Sequence, residues 1–237
     1  NENYVAWCWK GAELPAINSN GSIPSVVSAN PAAGFSIVSY TGNGEDNQTV
    51  GHGLGNTPSI VFTKNRNESG SLNGNWAFAY MPNSTSGYLN TTNNFNSARF
   101  AAMFGSGTNS NTFTVGTDGT FGHTNENGDP IIAYCFAEVA GFSKFGSYTG
   151  TGSAGNTVTV GFEPAFVMFK NTSSTGQWWI HDNKRGDDKR LFAESSAAES
   201  TNGALTTNAT GFSFNDANSN LNSSGATYIY MAFANQF

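Results

Sequence analysis

The stretch IIAYCFAEVAGFSKFGSY, residues 131–148, returns in pieces elsewhere along the chain. Its first half resembles YVAWCWK at 4–10 and IYMAFA at 229–234. Its second half continues as GFSKFGSYTGTG to residue 152 and matches GFSIVSYTGNG at 34–44. The stretch therefore closes one module and opens the next, which predicts tandem modules that end in the same type of strand.

The match continues downstream of these blocks. PSIVFTKN at 58–65 returns as PAFVMFKN at 164–171, and GNW before residue 77 returns as GQW before residue 179. A repeat of roughly 100 residues has the size of a domain, since solenoid units run roughly 20 to 50 residues. We predict module 1 at 34–140 and module 2 at 141–237. Residues 1–33 are interpreted as the terminal strand of a preceding module plus a proline-containing linker or wrapping loop.

The composition favours many short strands joined by turns. Hydrophobic residues make up 38% and aromatic residues 14% of the 237 residues, and the chain has 28 glycines. Apolar residues alternate along Phe35–Tyr40 and Trp76–Tyr80, which predicts strands with one buried and one free face. The predicted fold class is all-β, with two tandem homologous β-sandwich modules of jelly-roll or concanavalin-like type. One short helix is predicted over 189–198.

Charge and hydropathy exclude two classes of partner. Only 11% of residues are charged and the net charge is −6, so a basic surface for nucleic acid is not expected. No apolar run reaches the roughly 20 residues of a membrane helix, so membrane insertion is not expected either. Cys8 and Cys135 hold equivalent positions in two terminal strands. Successive domains would separate them beyond the roughly 7 Å limit for a disulfide, so both are predicted to be free, buried thiols.

Comparison of the modules yields one candidate ligand site. Trp178 aligns with Trp76, which marks that side of both strands as core. Trp179 and His181 point to the opposite side, where module 1 has alanines. An exposed tryptophan beside polar groups is a candidate platform for stacking a sugar. The favoured alternative is that a loop or a neighbouring subunit covers Trp179.

The charged segment between Asp182 and Arg190 allows two interpretations. Its Arg-Gly-Asp triplet at 185–187 spells a known cell-adhesion signal, but short motifs arise often by chance. The favoured interpretation is a local ion-pair cluster of Asp182, Arg185 and Lys189 that fixes a loop.

Metal, cofactor and catalytic patterns are weak. The acidic, asparagine-rich segments at 125–129 and 216–220 could supply oxygen ligands for calcium, yet neither has the spacing of a dedicated loop. His52, His123 and His181 lack the paired spacing of a zinc site. No strand carries two nearby carboxylates and no Gly-x-Ser-x-Gly motif occurs, so we expect no catalytic residues, no metal, no cofactor and no enzyme activity.

The most specific motifs resemble a known type of module. YVAWCWKG at 4–11, AYCFAEVAGFSKFGSYTGTG at 133–152 and the segment 178–199 are similar to a module repeated in long structural proteins of tailed, mostly marine bacteriophages. These proteins are often described as tail fibre or LamG-like. The resemblance covers nearly the whole chain, although module 1 departs from it between residues 76 and 104. It implies no catalytic residues.

The leading functional hypothesis is a non-enzymatic structural module on the exposed surface or tail of a virion. Its expected partners are copies of itself, other virion proteins and, for host attachment, a host-surface glycan. A carbohydrate-binding lectin-like module is the alternative, and a polysaccharide-degrading enzyme is a third hypothesis that the missing acid pair disfavours.

Overall fold

A computed structural model describes residues 4–67, 74–117, 123–201, 205–215, 217 and 219–235. The described chain is nearly all β-structure in several antiparallel sheets, which confirms the predicted all-β class. In the first half the elements are β1 Ala16–Asn18, β2 Ser25–Asn30, β3 Phe35–Thr41, β4 Gln48–Gly51, β5 Ile60–Asn65, β6 Ala77–Tyr80, β7 Thr85–Tyr88, α1 Ser97–Phe104, β8 Thr112–Val115 and β9 Pro130–Phe136. In the second half they are β10 Ser143–Thr149, β11 Asn156–Thr159, β12 Phe166–Asn171, β13 Trp178–Asp182, β14 Lys189–Phe192, β15 Ser200–Thr201, β16 Leu205–Asn208, β17 Gly211–Phe214, α2 Ser219–Asn222 and β18 Thr227–Phe233.

The two halves repeat one strand order. Sheet 1 has seven strands in the order β1-β2-β3-β9-β5-β6-β7, and sheet 2 has six in the order β10-β18-β12-β13-β14-β15. Five neighbouring strands have the same arrangement in both sheets: they are β3-β9-β5-β6-β7 in sheet 1 and β10-β18-β12-β13-β14 in sheet 2. Smaller sheets, β4-β8 and β11-β17-β16, complete the two halves. The origin of the halves by duplication and the module limits stay predictions.

Three hydrophobic cores hold these sheets together. One lies between sheet 1, the β4-β8 pair and α1, where Val38, Phe104 and Phe113 are buried. Another lies between sheet 2 and the β11-β17-β16 sheet. The third lies between sheets 1 and 2 themselves and joins the two halves. The central strands of each large sheet are therefore covered on both faces, so the prediction of one free face is wrong for β6 and β13, whose residues are all buried.

The third core contains an aromatic junction made by equivalent residues. Trp9, Phe136 and Phe233 occupy the same place in the three related segments at the start, middle and end of the chain. The ring of Trp9 lies 6.0 Å from that of Phe136 and 5.2 Å from that of Phe233, and the two phenylalanine rings are 5.8 Å apart. Edge-to-face contacts of this kind add to the burial of apolar area. The three copies of the repeated segment therefore pack against one another in the third core.

The N-terminal region differs from the sequence-based expectation. Residues 4–10 form no strand, and Cys8 is exposed, whereas Cys135 is a free, buried thiol as predicted. Residues 11–33 are more than a linker, because they supply β1 and β2, and β2 pairs with β3 along its length. These short strands are hard to predict from the sequence because prolines flank them and their small polar residues weaken the alternating pattern.

Two helix assignments also differ. The helix predicted over 189–198 is absent, because Leu191 and its neighbours pair with β13 as the strand β14. The helix α1 was not predicted. Asn96 caps its first turn by accepting from the backbone N–H of Arg99, and Phe100, Met103 and Phe104 face the core at helical spacing. Pairing with β13 makes residues 189–192 a strand, and one helical turn of apolar residues packed on the core stabilises α1.

Candidate functional site

The densest polar cluster lies where β13 ends, and Asp182 is its centre. One carboxylate oxygen of Asp182 accepts the backbone N–H groups of Lys184 and Arg185, which turns the chain sharply after the strand. The other oxygen accepts from Nε of Arg185 at 2.6 Å and from Nε1 of Trp7 at 3.2 Å. Burial by itself raises the pKa of Asp182, but the hydrogen bonds from Arg185 and Trp7 outweigh it and hold the pKa below its ordinary value.

Arg185 extends the cluster and is also the first residue of the Arg-Gly-Asp triplet. Its Nη1 donates to Glu199 at 2.9 Å, and its guanidinium lies 5.6 Å from the ring centre of Trp7. Asp187 accepts from both the backbone N–H and the hydroxyl of Thr207. Both charged members of the Arg-Gly-Asp triplet are thus engaged within the chain, which agrees with a loop-fixing cluster. Lys189 does not join it, because its ammonium donates to Thr201.

A groove of about 480 Å³ opens beside this cluster. The N-terminal segment with Trp7, Cys8 and Trp9 forms one wall, and its other lining residues include Phe166, Asp182, Asn183 and Phe233. The ring of Trp7 packs edge-on against Phe166 at 5.3 Å. The groove therefore combines an aromatic floor with a carboxylate that already accepts hydrogen bonds from Arg185 and Trp7.

Trp179 does not form the exposed platform expected of it. Its side chain is buried at 2% exposure in the core between sheet 2 and the β11-β17-β16 sheet. The Phe192 ring meets it edge-on at 5.2 Å, and the Arg190 guanidinium lies 4.3 Å from its ring centre. The expectation of exposure is wrong because the β11-β17-β16 sheet covers this face. The alternative expected cover too, but by a loop or a neighbouring subunit. Ligand contact by Trp179 or His181 stays a prediction, but both side chains are buried rather than exposed as that prediction assumed.

His181 lies beside Trp179 and is 1% exposed. Its ring stacks on Phe169 at 5.8 Å, and neither ring nitrogen has a hydrogen-bond partner, although the backbone of Lys189 is close. Burial, helped by the positive charges of Arg185 and Arg190 and opposed by Asp187, lowers the pKa of His181 to about 4. The imidazole is therefore neutral at physiological pH and acts as a flat core side chain.

Lys170 is a buried cation at the contact between the two halves. It is 0% exposed, and its ammonium donates to the backbone oxygens of Thr92 and Gly176. Burial lowers the pKa of Lys170 to about 8, although the nearby Glu194 opposes the shift. Since Thr92 belongs to the first half of the chain and Lys170 to the second, this amine ties the halves together.

The remaining candidate residues have structural partners. Asp129 accepts from the side-chain amides of Asn65 and Asn67, so its carboxylate serves turn geometry. The second asparagine-rich segment, 216–220, falls partly outside the described residues. Within the described ranges, no three His, Cys, Asp or Glu side chains are grouped so as to hold a metal ion. Buried His52 accepts from the backbone N–H of Leu54 and faces the backbone oxygen of Asn109.

Comparison with protein families gives one result. The family model of DUF7483, a domain of unknown function, matches residues 1–236. The chain belongs to the DUF7483 family. No curated protein and no solved structure matches it. The description of the family assigns no activity, so the functional argument for this DUF7483 chain depends on its own residues.

Asp182→Asn tests the cluster in this DUF7483 domain. We expect the free energy of unfolding to fall by about 2 kcal/mol, below the range of about 3–5 kcal/mol for breaking a buried ion pair. The loss is smaller because asparagine retains the side-chain oxygen that caps the turn, and because Arg185 retains its ion pair with Glu199. Chemical denaturation measures the change. Asp188→Asn is the matched control, because that carboxylate is exposed and lies 3.7 Å from Lys189. Equal stabilities of the two variants would contradict the role of Asp182.

Proposed function

We propose that this chain is a non-catalytic structural module of a tailed-bacteriophage virion, in a tail fibre or other surface appendage. The observation that supports it best is the aromatic junction. Trp9, Phe136 and Phe233 come from three copies of one segment, and they pack against one another. A protein built of successive modules needs such a repeated contact, because each module must attach firmly to the next.

The contact between the halves is extensive and specific. Sheets 1 and 2 share a core that is rich in aromatic residues. Trp178 of sheet 2 donates from Nε1 to the backbone oxygen of Tyr88 in sheet 1 at 2.9 Å. The Lys170 ammonium donates across the same boundary to Thr92 at 3.0 Å. Directional bonds across the boundary fix the relative position of the two sheets, which supports a load-carrying role better than that of loosely tethered domains.

The proposal implies several partners. Copies of the chain and other virion proteins assemble with it, and a host-surface glycan is the target if the appendage attaches to a host. Neither helix among the described residues has the length and apolarity to span a bilayer. The phage setting rests on the sequence resemblance at 4–11, 133–152 and 178–199.

Electron microscopy of phage particles tests the proposal. Gold-labelled antibody against the purified chain is expected to decorate an appendage of particles produced from the genome that encodes it. Particles from a deletion mutant provide the control: they should be labelled when the gene is supplied in trans and unlabelled when it is not. Purified particles that lack the chain by mass spectrometry, while infected cells contain it, would overturn the virion assignment.

A further inference from the structure

The exposed hydrophobic side chains of this protein are confined to one region. Among the described residues, every large hydrophobic side chain that is exposed lies between positions 4 and 26. Ile17 on β1 is 83% exposed and Val26 on β2 is 46% exposed. These two residues are direct partners in the β1-β2 ladder, so their side chains are neighbours on one face. Contiguous exposed apolar surface commonly marks an interface.

This face is the one that carries the contact between the sheets. Val26 is paired with Ser39 on β3, and directly paired residues point to the same side of a sheet. Ser39 lies on the same side of β3 as Ile37 and Phe35, because alternate residues of a strand share a face. Phe35 belongs to the core between sheets 1 and 2. Ile17 and Val26 therefore extend the apolar face that sheet 2 partly covers.

Coverage of this face falls off toward β1. Phe35 and Phe136 are each 4% exposed beneath sheet 2. Ile37 and Tyr134, which are paired across β3 and β9, are only partly buried. Ile17 and Val26 are open. Sheet 2 thus protects one end of the face, and residues 10–12 lie over the part at Ser28, whose hydroxyl donates to the backbone oxygen of Ala12. The end at Ile17 and Val26 is exposed to solvent.

We propose that the open end of this face, from Tyr134 and Ile37 to Val26 and Ile17, is an interface between two copies of the chain. The copies pack face to face about a two-fold axis near Ile17 and Val26. The internal contact between sheets 1 and 2 supports a second copy as the partner, because the open surface continues directly from it. At the covered end, the face of sheet 1 already packs against the apolar face of another antiparallel sheet. Every copy carries such a surface, so the contact is self-complementary.

Charge also favours a second copy. The strands β1, β2 and β3 contain no charged residue. Two identical, strongly charged faces would repel each other, whereas the nearest charge on this face among the described residues is Lys64 of β5, two strands away from Ser39. A strongly charged partner would find nothing on these strands to pair with. The inference deepens the proposed function, since it names the surface by which copies assemble, and it rests on that function only for its biological setting.

Sedimentation equilibrium over a range of protein concentrations tests the interface. The unaltered chain is expected to form a dimer of twice 25.0 kDa. Ile17→Asp with Val26→Asp should raise the dimer dissociation constant at least about tenfold, because burial would place unpaired carboxylates in an apolar contact. Circular dichroism should show an unchanged fold, since both positions are exposed. Thr157→Asp with Thr159→Asp, on exposed positions of β11, is the matched control and should dimerise normally.

A cross-linking experiment gives a second reading that does not depend on a charge. With Cys8 replaced by serine, Ile17→Cys near the two-fold axis should form an intermolecular disulfide under mild oxidation, and Thr159→Cys should not. A strictly monomeric chain, or a dimer that both aspartate pairs leave intact, would overturn this interface. Neither result bears on antibody labelling of virions, so failure of the interface and failure of the proposed function are distinguishable.

Discussion

Trp178→Ala is expected to lower the free energy of unfolding by about 4 kcal/mol, within the range for deleting a buried aromatic side chain. Trp178 is 1% exposed, and its ring lies 4.6 Å from Phe78 and 5.8 Å from Phe95, both in the first half of the chain. The variant leaves a cavity between the two sheets and removes the hydrogen bond to Tyr88. Urea denaturation followed by circular dichroism measures the loss.

Trp76 provides the matched control for Trp178. The two tryptophans hold the same place in the repeat, but Trp76 is half-buried and stacks on Tyr134 at 6.1 Å. Trp76→Ala should cost about 1–2 kcal/mol, because less apolar area leaves water in the folded state. Trp178→Phe separates packing from hydrogen bonding and should cost about 1 kcal/mol beyond the lost area. A loss for Trp178→Ala no larger than that for Trp76→Ala would argue against the shared core.

His181 is expected to make stability fall between pH 6.5 and pH 4. The unfolded chain takes up a proton near pH 6.5, whereas burial lowers the pKa of His181 in the folded protein to about 4. Within that window the unfolded state binds more protons, so the free energy of unfolding decreases as the pH falls. The full effect is about 3 kcal/mol and is complete below pH 4, where both states are protonated. Denaturation curves at successive pH values measure it.

His181→Phe should remove this part of the pH dependence. Phenylalanine keeps the flat ring that stacks on Phe169, and it eliminates two buried nitrogens that have no hydrogen-bond partner. Stability at pH 7 should therefore be unchanged or higher. His52→Phe is the contrasting variant, because it loses the bond from Leu54 and should destabilise the protein at every pH. Burial also lowers the pKa of His52, so a smaller slope of the same sign should remain in His181→Phe. An undiminished slope would assign the proton uptake to another group.

The site shows where sequence analysis succeeds and where it stops. Alignment of the two modules put Trp178 and Trp76 in one position, and the strand ladders agree. Trp178 is paired with Lys170, and β6, which begins directly after Trp76, pairs with β5 in the equivalent register. The same alignment placed Trp179 and His181 on the opposite side of the strand. Their exposure could not be deduced, because alternation separates the two faces of a strand without revealing what lies over either one.

The bond between Trp7 and Asp182 illustrates the same limit at longer range. The two residues are 175 positions apart, and Trp7 belongs to a segment that forms no strand. No local pattern in the sequence connects an indole N–H to a carboxylate at that distance. The exposure of the large hydrophobic residues between positions 4 and 26 was equally hidden, since the three residues of β1 and the adjacent Val26 and Val27 of β2 show no clear alternation.

The sequence by itself determined the all-β class, the repeated segments and the face that Trp76 and Trp178 share, because strand periodicity and repetition are properties of the chain. The tertiary structure alone decided that sheets 1 and 2 pack face to face, that Trp179 and His181 are enclosed, and that Ile17 and Val26 stay open. The physical reason is that burial depends on which surfaces meet. Sheet 2 covers one end of the apolar face of sheet 1 and leaves the other end in water.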